Sequence, residues 1–311
     1  MRTAAVARTE EIVQLVPRHR LHGLAFGARR SARRGSGSDV AGSRPYHPGD
    51  DVHQIDWAAS ARLSAARGAD EFIVRERFAE EGPRVTLVCD RRPAMALYPS
   101  PWLDKRRALV HVVDVLAEAA FAARGLVALL DLRGEAPSWH APQASRRGWS
   151  ATVQTLDDDA CDGPAGAVSL AFEHLEHVRA SLPTGGFLFV CSDFLEPPPE
   201  HVWLTCLDRR WDVVPVVVQD PTWERSFPAE LGRLVVPIAD PVTGRVDLVR
   251  FSRRAAQSRH DEHEARLAEL LATFDALGLD PVLIGESSRE AVLGAFLDWS
   301  ELRQAPAVRT W

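Results

Sequence analysis

The feature that most constrains the fold is a series of short, wholly apolar runs alternating with helical patterns from residue 84 onward. VTLVC at 85–89, LVALLD at 126–131, FLFVCSD at 187–193, DVVPVVV at 212–218 and PVLIG at 281–285 have strand length and no polar face. A strand apolar on both sides must be covered on both sides. Between these runs, Asp104–Arg124, Ala167–Ser181, a short segment near 200–210, Arg253–Leu277 and Ser287–Trp299 repeat apolar residues at helical spacing. Gly125 and Gly278 stop two of these helices, and Ser287 with Glu290 reads as an N-cap. The alternation predicts an α/β fold: a doubly wound, mostly parallel sheet with helices on both faces. Pro215 inside 212–218 and Pro237 inside RLVVPIAD at 233–240 lack a ladder donor, which argues against central places for those two strands. Ligands of such sheets collect beyond the carboxyl ends of the strands, at a switch point. Asp90 and Asp193 close two of the runs and are expected there.

The charge is uneven. Met1–Arg84 holds 14 Arg and 11 acidic residues, a net of +3, and the remainder holds 23 basic and 32 acidic residues, a net of −9. A total of −6 argues against broad nucleic-acid binding as the main task. Lys105 is the only lysine among 37 basic residues. Cys89, Cys161, Cys191 and Cys206 show no paired spacing, so they read as reduced thiols of a cytoplasmic protein. Glu10 and Glu11 precede the first apolar stretch, which is not the pattern of a secretion signal. No run approaches the roughly 18 apolar residues of a membrane span. Three parts are expected: an N-terminal helix or arm with a motif region at 1–83, the α/β domain at 84–300, and a tail at 301–311.

The densest motif is RPYHPGDDVHQIDWAASAR at 44–62. Pro48 and Gly49 set a turn, Asp50 and Asp51 offer carboxylates, Ile55 and Trp57 offer anchors, and Asp56 with Arg62 offers an ion pair. The string resembles the bacterial family catalogued as domain of unknown function 58, through Arg44, Tyr46, Gly49, Asp50, Asp51, Ile55, Asp56, Trp57, Ser60, Ala61 and Arg62. His53 stands where that family carries arginine. GARRSARRGSGSDV at 27–40 resembles the family's lead-in. Residues 217–246 resemble its second half, with Asp220, Pro221, Glu224, Gly232, Asp240 and Gly244 in place.

The resemblance implies a von Willebrand factor A-like domain after the motif. Such domains often hold a divalent cation through D-x-S-x-S after the first strand, a later Thr and a later Asp. Hard oxygen ligands of this kind suit Mg²⁺ or Mn²⁺. Here the first strand is followed by Asp90-Arg91-Arg92-Pro93-Ala94, so Arg92 and Ala94 replace both serines. No Thr occurs in Cys161–Ser169, and Asp193 remains. Two carboxylates without hydroxyls make a poor Mg²⁺ or Mn²⁺ site. Arg91 or Arg92 is expected to supply the missing charge by bridging Asp90 and Asp193, permanently, because arginine does not deprotonate.

The resemblance further implies a non-enzymatic interaction module. Its expected partners are a MoxR-type AAA+ ATPase and other von Willebrand A proteins, as an adaptor or co-chaperone in assembly or activation of client complexes. Asp50 and Asp51 would accept bonds from a partner or from Arg44 and Arg62, and Trp57 would pack against the α/β domain. Two other classes compete. One is a metal-dependent hydrolase using Asp50, Asp51 and Asp56. The other is nucleic-acid binding through Arg29, Arg30, Arg33 and Arg34, which lack interleaved aromatics. His174 with His177, and His260 with His263, share helix faces without a third ligand and read as solvated. No phosphate-binding glycine loop or nucleophile elbow occurs.

Overall fold

The computed structural model describes residues 12–18, 34–47, 52–68, 71–78, 82–97, 101–158, 160–178, 186–207, 211–231, 235–240 and 245–305. Gly49, Asp50, Asp51 and 29–33 lie outside the described residues. Along the chain the elements are β1 (Arg34–Pro45), α1 (Trp57–Arg67), β2 (Ile73–Phe78), β3 (Arg84–Asp90), α2 (Lys105–Ala122), β4 (Leu126–Leu132), β5 (Ser138–Gln143), α3 (Arg146–Asp158) and α4 (Ala167–His177). They continue with β6 (Phe187–Ser192), α5 (Glu200–Leu207), β7 (Asp212–Val218), β8 (Val235–Ala239), β9 (Val246–Arg250), α6 (Arg253–Ala276), β10 (Val282–Ile284) and α7 (Arg289–Gln304).

Six strands form the main sheet in the order β10-β7-β6-β3-β4-β5. All neighbours pair parallel except β5, which runs antiparallel to β4 at one edge. Every residue of β6 and β7 is buried, as their unbroken apolar sequences require. Side chains alternate between two cores. Leu87, Leu129, Phe189 and Val216 join the core under α2, α3 and α7. Val88, Leu130, Val190 and Val217 join the one under α4, α5 and α6. Helices therefore cover both faces. Full burial of each such Val, Leu or Phe contributes about 1.5–3 kcal/mol.

Several boundaries follow from caps. Asp104 accepts from Arg107 N and opens α2, and Ser252 accepts from Ala255 N and opens α6. The cap of α7 is Ser288, one residue beyond the Ser287 expected from sequence, because Ser288 Oγ accepts from Ala291 N. The Ser287 carbonyl instead binds His111 Nδ1 at 2.7 Å.

Pro215 departs from expectation, since its strand lies inside the sheet between β10 and β6. β10 meets β7 only at Val216–Val218, so the missing donor precedes the point where the second neighbour begins. β8 behaves as expected of a proline-bearing strand and forms a separate antiparallel hairpin with β9. Residues 12–18 run extended and insert Val13 and Leu15 into the core under α2. Asp212 holds them: its Oδ2 accepts from Arg18 N at 2.7 Å and from Arg303 Nη1 at 2.9 Å.

The motif region makes a smaller unit. β1 pairs antiparallel with β2, with two register shifts. Asp56 caps α1 by accepting from Ala59 N at 3.0 Å, and Arg62 donates Nε to its own helix at Ala58 O instead of pairing with Asp56. Ser60 is buried, accepts from Ile73 N and donates to the Asp56 carbonyl, which fastens α1 to β2.

Candidate functional site

In chain order the strands step outward as β3, β4 and β5, then return to β6 beside β3 and step the other way to β7 and β10. The direction reverses between β3 and β6, which is where a crevice is expected in a doubly wound sheet. Asp90 ends β3 and Asp193 follows the last residue of β6. Both carboxylates are wholly buried, as is Lys105, while Arg92 is only 8% exposed and Glu224 3%.

The sequence expectation of a bridging arginine is met by Arg92. Its Nε donates to Asp90 Oδ1 at 3.2 Å and its Nη2 to Asp90 Oδ2 at 2.8 Å, a bidentate contact, and the same Nη2 lies 2.7 Å from Asp193 Oδ1. Arg91 points elsewhere, donating Nη1 to the Leu156 carbonyl at 2.7 Å and facing Asp131 at 4.0 Å. Ser192 Oγ donates to Asp90 Oδ2 at 2.6 Å, and Leu195 N donates to Asp193 Oδ1 at 3.2 Å.

A second cation lies on the other side of Asp193. Lys105 Nζ is 3.2 Å from Asp193 Oδ2 and 2.6 Å from Glu224 Oε1. Glu224 Oε2 accepts from Asp220 N, and Asp220 in turn receives Leu103 N, Thr222 N and Trp223 N. The result is a buried chain, Asp90–Arg92–Asp193–Lys105–Glu224, alternating in sign from β3 across to the end of β7.

Burial works against both cations and the carboxylates outweigh it. The Arg92 guanidinium is held above its ordinary value by Asp90 first, then Asp193 and Glu196. The Lys105 ammonium is held above its ordinary value by Asp193 and Glu224. For Glu224 burial dominates and raises the carboxyl, with Lys105 only partly opposing it. Burial also raises the Cys89 thiol, which lies next to the buried Cys191 on the paired strand.

These residues do not fit a divalent cation. All four oxygens of Asp90 and Asp193 accept from donors of the chain, and the position of a metal between the two carboxylates is filled by guanidinium. Ala94 brings a methyl where the resemblance would need a hydroxyl.

The backbone around the site is specialised. Phe194 is a non-glycine residue with φ 47, just after Asp193. Its ring is locked against Trp203 and Phe274, which holds the turn. Gly163 sits in the loop between α3 and α4 and donates its N–H to the Arg91 carbonyl. A Cβ there would lie 2.1 Å from the Leu132 carbonyl oxygen, so only glycine lets this loop approach so closely.

Of the other candidates, Trp57 is not packed against the α/β body as expected. It is 63% exposed and meets Phe72, itself 44% exposed and in contact with Tyr46. Trp57 opens α1, whose buried anchor is Ser60, so the indole projects outward. Arg44 and His47 turn inward on their own segment, with Arg44 Nη1 donating to the Pro45 carbonyl and lying 3.2 Å from His47 Nδ1. Ile55 forms a bridge to Val74. Of the three carboxylates a hydrolase would use, Asp56 is occupied as a cap, and Asp50 and Asp51 lie outside the described residues. His260 and His263 are not solvated; their Nδ1 atoms face the Phe227 and Ser226 carbonyls and fasten the loop after β7 to α6.

Lys105 and Glu224 were not paired from sequence, since 119 residues separate them. The available signal was composition: one lysine in a chain that otherwise uses arginine throughout.

A model of the family described as "Protein of unknown function DUF58" matches residues 42–269. The uncharacterized proteins Rv1480 of Mycobacterium tuberculosis and Mb1516 of Mycobacterium bovis are each 26% identical to the chain over 220 residues, 70% of this chain. The chain spans about 65% of the length of these curated relatives. Among solved structures, a conserved hypothetical protein BatB from Bacteroides thetaiotaomicron matches 71% of this chain and all of its own, at 15% identity and TM-score 0.39. An aerotolerance-related membrane protein from Bacteroides fragilis matches the same shares at 12% identity and TM-score 0.43. Among the described residues, no helix is long and apolar enough to cross a membrane.

Proposed function

We propose that this chain, which belongs to the DUF58 family, is a non-enzymatic protein-interaction module that serves a MoxR-type AAA+ ATPase as adaptor or co-chaperone. It would act in the assembly or activation of client complexes, together with other von Willebrand A proteins. On this reading the α/β body is a von Willebrand factor A-like domain whose metal-ion-dependent adhesion site works without Mg²⁺ or Mn²⁺, its cation replaced by Arg92 and Lys105. Cysteines outside any disulfide support a cytoplasmic setting.

The observation that carries the reading is the exposure of Trp57. The most specific motif of the chain spends buried Ser60 and half-buried Ile55 and Asp56 on holding α1 and β2 together, and leaves its largest apolar side chain uncovered beside Phe72. Exposed tryptophan on a rigid support is the residue type that anchors protein interfaces. The test is capture from the native host with tagged protein, with and without ATP, read by mass spectrometry. The expected result is nucleotide-dependent recovery of an AAA+ ATPase by the wild type and its loss in Trp57→Ala at unchanged thermal stability. Equal recovery by both proteins, or none by the wild type, contradicts the reading.

A further inference from the structure

The hairpin of β8 and β9 leaves one edge and one face uncovered. The backbone bond from Asp240 N to the Arg245 carbonyl, at 2.8 Å, fixes which of its pairs exchange hydrogen bonds. Along the register, Ile238–Asp247 and Val236–Val249 are then bonded pairs, with Ala239–Val246, Pro237–Leu248 and Val235–Arg250 alternating between them. In the alternating pairs the N–H and C=O groups point away from the partner strand. On β8 that outer edge carries Pro237, which has no N–H to offer. On β9 it carries Val246, Leu248 and Arg250, and among the described residues β9 pairs with β8 alone. The side chains of these pairs form the outer face, where Leu248 is 75% exposed, Val246 60% and Val235 55%. Val236, Ile238 and Val249 pack inward on Phe227, Phe251 and Ala256. Arg250, with Arg253 and Arg254 at the start of α6, is exposed, and none of the three makes an ion pair or side-chain hydrogen bond among the described residues.

We propose that the open edge of β9 accepts a strand from a partner protein: an extended segment running antiparallel to Val246–Arg250, acidic where it passes Arg250 and apolar opposite Leu248 and Val246. Main-chain hydrogen bonds along the edge hold such a segment, and its alternate side chains on the outer face select it. Charge identifies the occupant. Three unpartnered arginines gather at one end of the strand, and a segment entering from that end meets them first, so its leading residues are carboxylates. Charge also excludes a second copy of this chain. In the self-paired register that overlaps all of Val246–Arg250, Leu248 faces its own copy and Val246 faces Arg250, so no carboxylate reaches the arginines. Shifting that register toward Val246 sets Asp247 against its own copy, a like-charge pair. Pro237 blocks the other edge, so the hairpin takes up one strand and stops there. This surface uses none of the motif residues around Trp57 and goes beyond the ATPase reading.

The test titrates the ¹⁵N-labelled full chain with a capped hexapeptide, Glu-Glu-Thr-Val-Thr-Val, up to millimolar concentration. Saturable shifts and slowed exchange are expected at the amides of Val246, Leu248 and Arg250. The same peptide N-methylated at both valines, which loses the N–H groups aimed at β9, should not bind. Leu248→Pro removes an N–H that gives nothing to β8, so it should abolish binding while the amides of Val236 and Val249 keep their protection. Arg250→Glu is the second variant, independent of any change in the hairpin. It should weaken the peptide about fivefold, the scale of an exposed ion pair, and reverse the preference toward a peptide with lysines in place of the glutamates. Absence of saturable shifts in the wild type, binding that survives Leu248→Pro or N-methylation, or a lysine peptide bound as tightly as the glutamate one by the wild type would each overturn the proposal. Concentration-dependent shifts at the same amides without peptide would also overturn it, by placing a second copy on the edge.

Discussion

Replacing Lys105 with methionine tests how the buried charge chain is held. Methionine is close to the lysine stem in length at the first position of α2, so the change removes the ammonium and little else. In the native chain that ammonium lies 3.2 Å from Asp193 and 2.6 Å from Glu224, with no exposed surface on Lys105. Asp193 keeps Arg92, but Glu224 is left as a buried carboxylate without a cation. Removing one partner of a buried pair costs about 3–5 kcal/mol, which at about 2–4 °C per kcal/mol is a large fall in the melting temperature. The loss also carries a pH signature. Burial already raises the Glu224 carboxyl and Lys105 opposes the rise, so without Lys105 it rises further. A carboxyl raised in the folded state is most compatible with folding below its unfolded value of about 4.3 and penalises folding as pH climbs through the folded value. The gap between wild type and variant in urea denaturation should therefore be widest near pH 8 and shrink on acidification. Adding Glu224→Gln to the variant should restore most of the loss, because no unpaired charge remains. A cost under about 1 kcal/mol at pH 8, a gap independent of pH, or a double variant no better than the single would refute the reasoning.

Further outcomes follow from single contacts. In the wild type Lys105 is raised above its ordinary value, so its contribution is complete below about pH 10.4 and fades as pH rises through the higher folded value; alkaline urea titrations should show this loss, and Lys105→Met should lack it. Gly163→Ala forces a Cβ against the Leu132 carbonyl and should cost about 1–3 kcal/mol by chemical denaturation. Asp56→Ala removes the cap of α1 and should cost the motif unit about 0.5–2 kcal/mol, visible as faster amide exchange at 57–60. Trp57→Ala removes an exposed ring and should leave stability within about 0.5 kcal/mol.

The parts of this fold that could be read from sequence are those whose residues carry their environment with them. β3, β4, β6 and β7 are apolar on both faces, and only a covered strand tolerates that. α2 and α6 pair clear periodicity with N-caps. β5, SWHAPQ, is an edge strand of intermediate burial with a proline, and β9 is largely exposed, so neither has a pattern strong enough to mark it. In the site, Asp90 and Asp193 were legible as strand ends, and Arg92 because it stands where the resemblance would imply a serine. Lys105 and Glu224 were not, since only the sheet order β7-β6-β3 brings their elements to one end. Trp57 misled because a tryptophan in a dense motif reads as a core anchor, whereas here Ser60 takes the buried position and the indole remains outside.

Calorimetric titration of the protein with Mg²⁺ and with Mn²⁺ tests the central claim most directly, namely that side-chain cations neutralise the carboxylates at the switch point. The account expects no saturable heat at micromolar metal, in the wild type or in Asp90→Ala. Micromolar binding by the wild type that disappears in Asp90→Ala would contradict it.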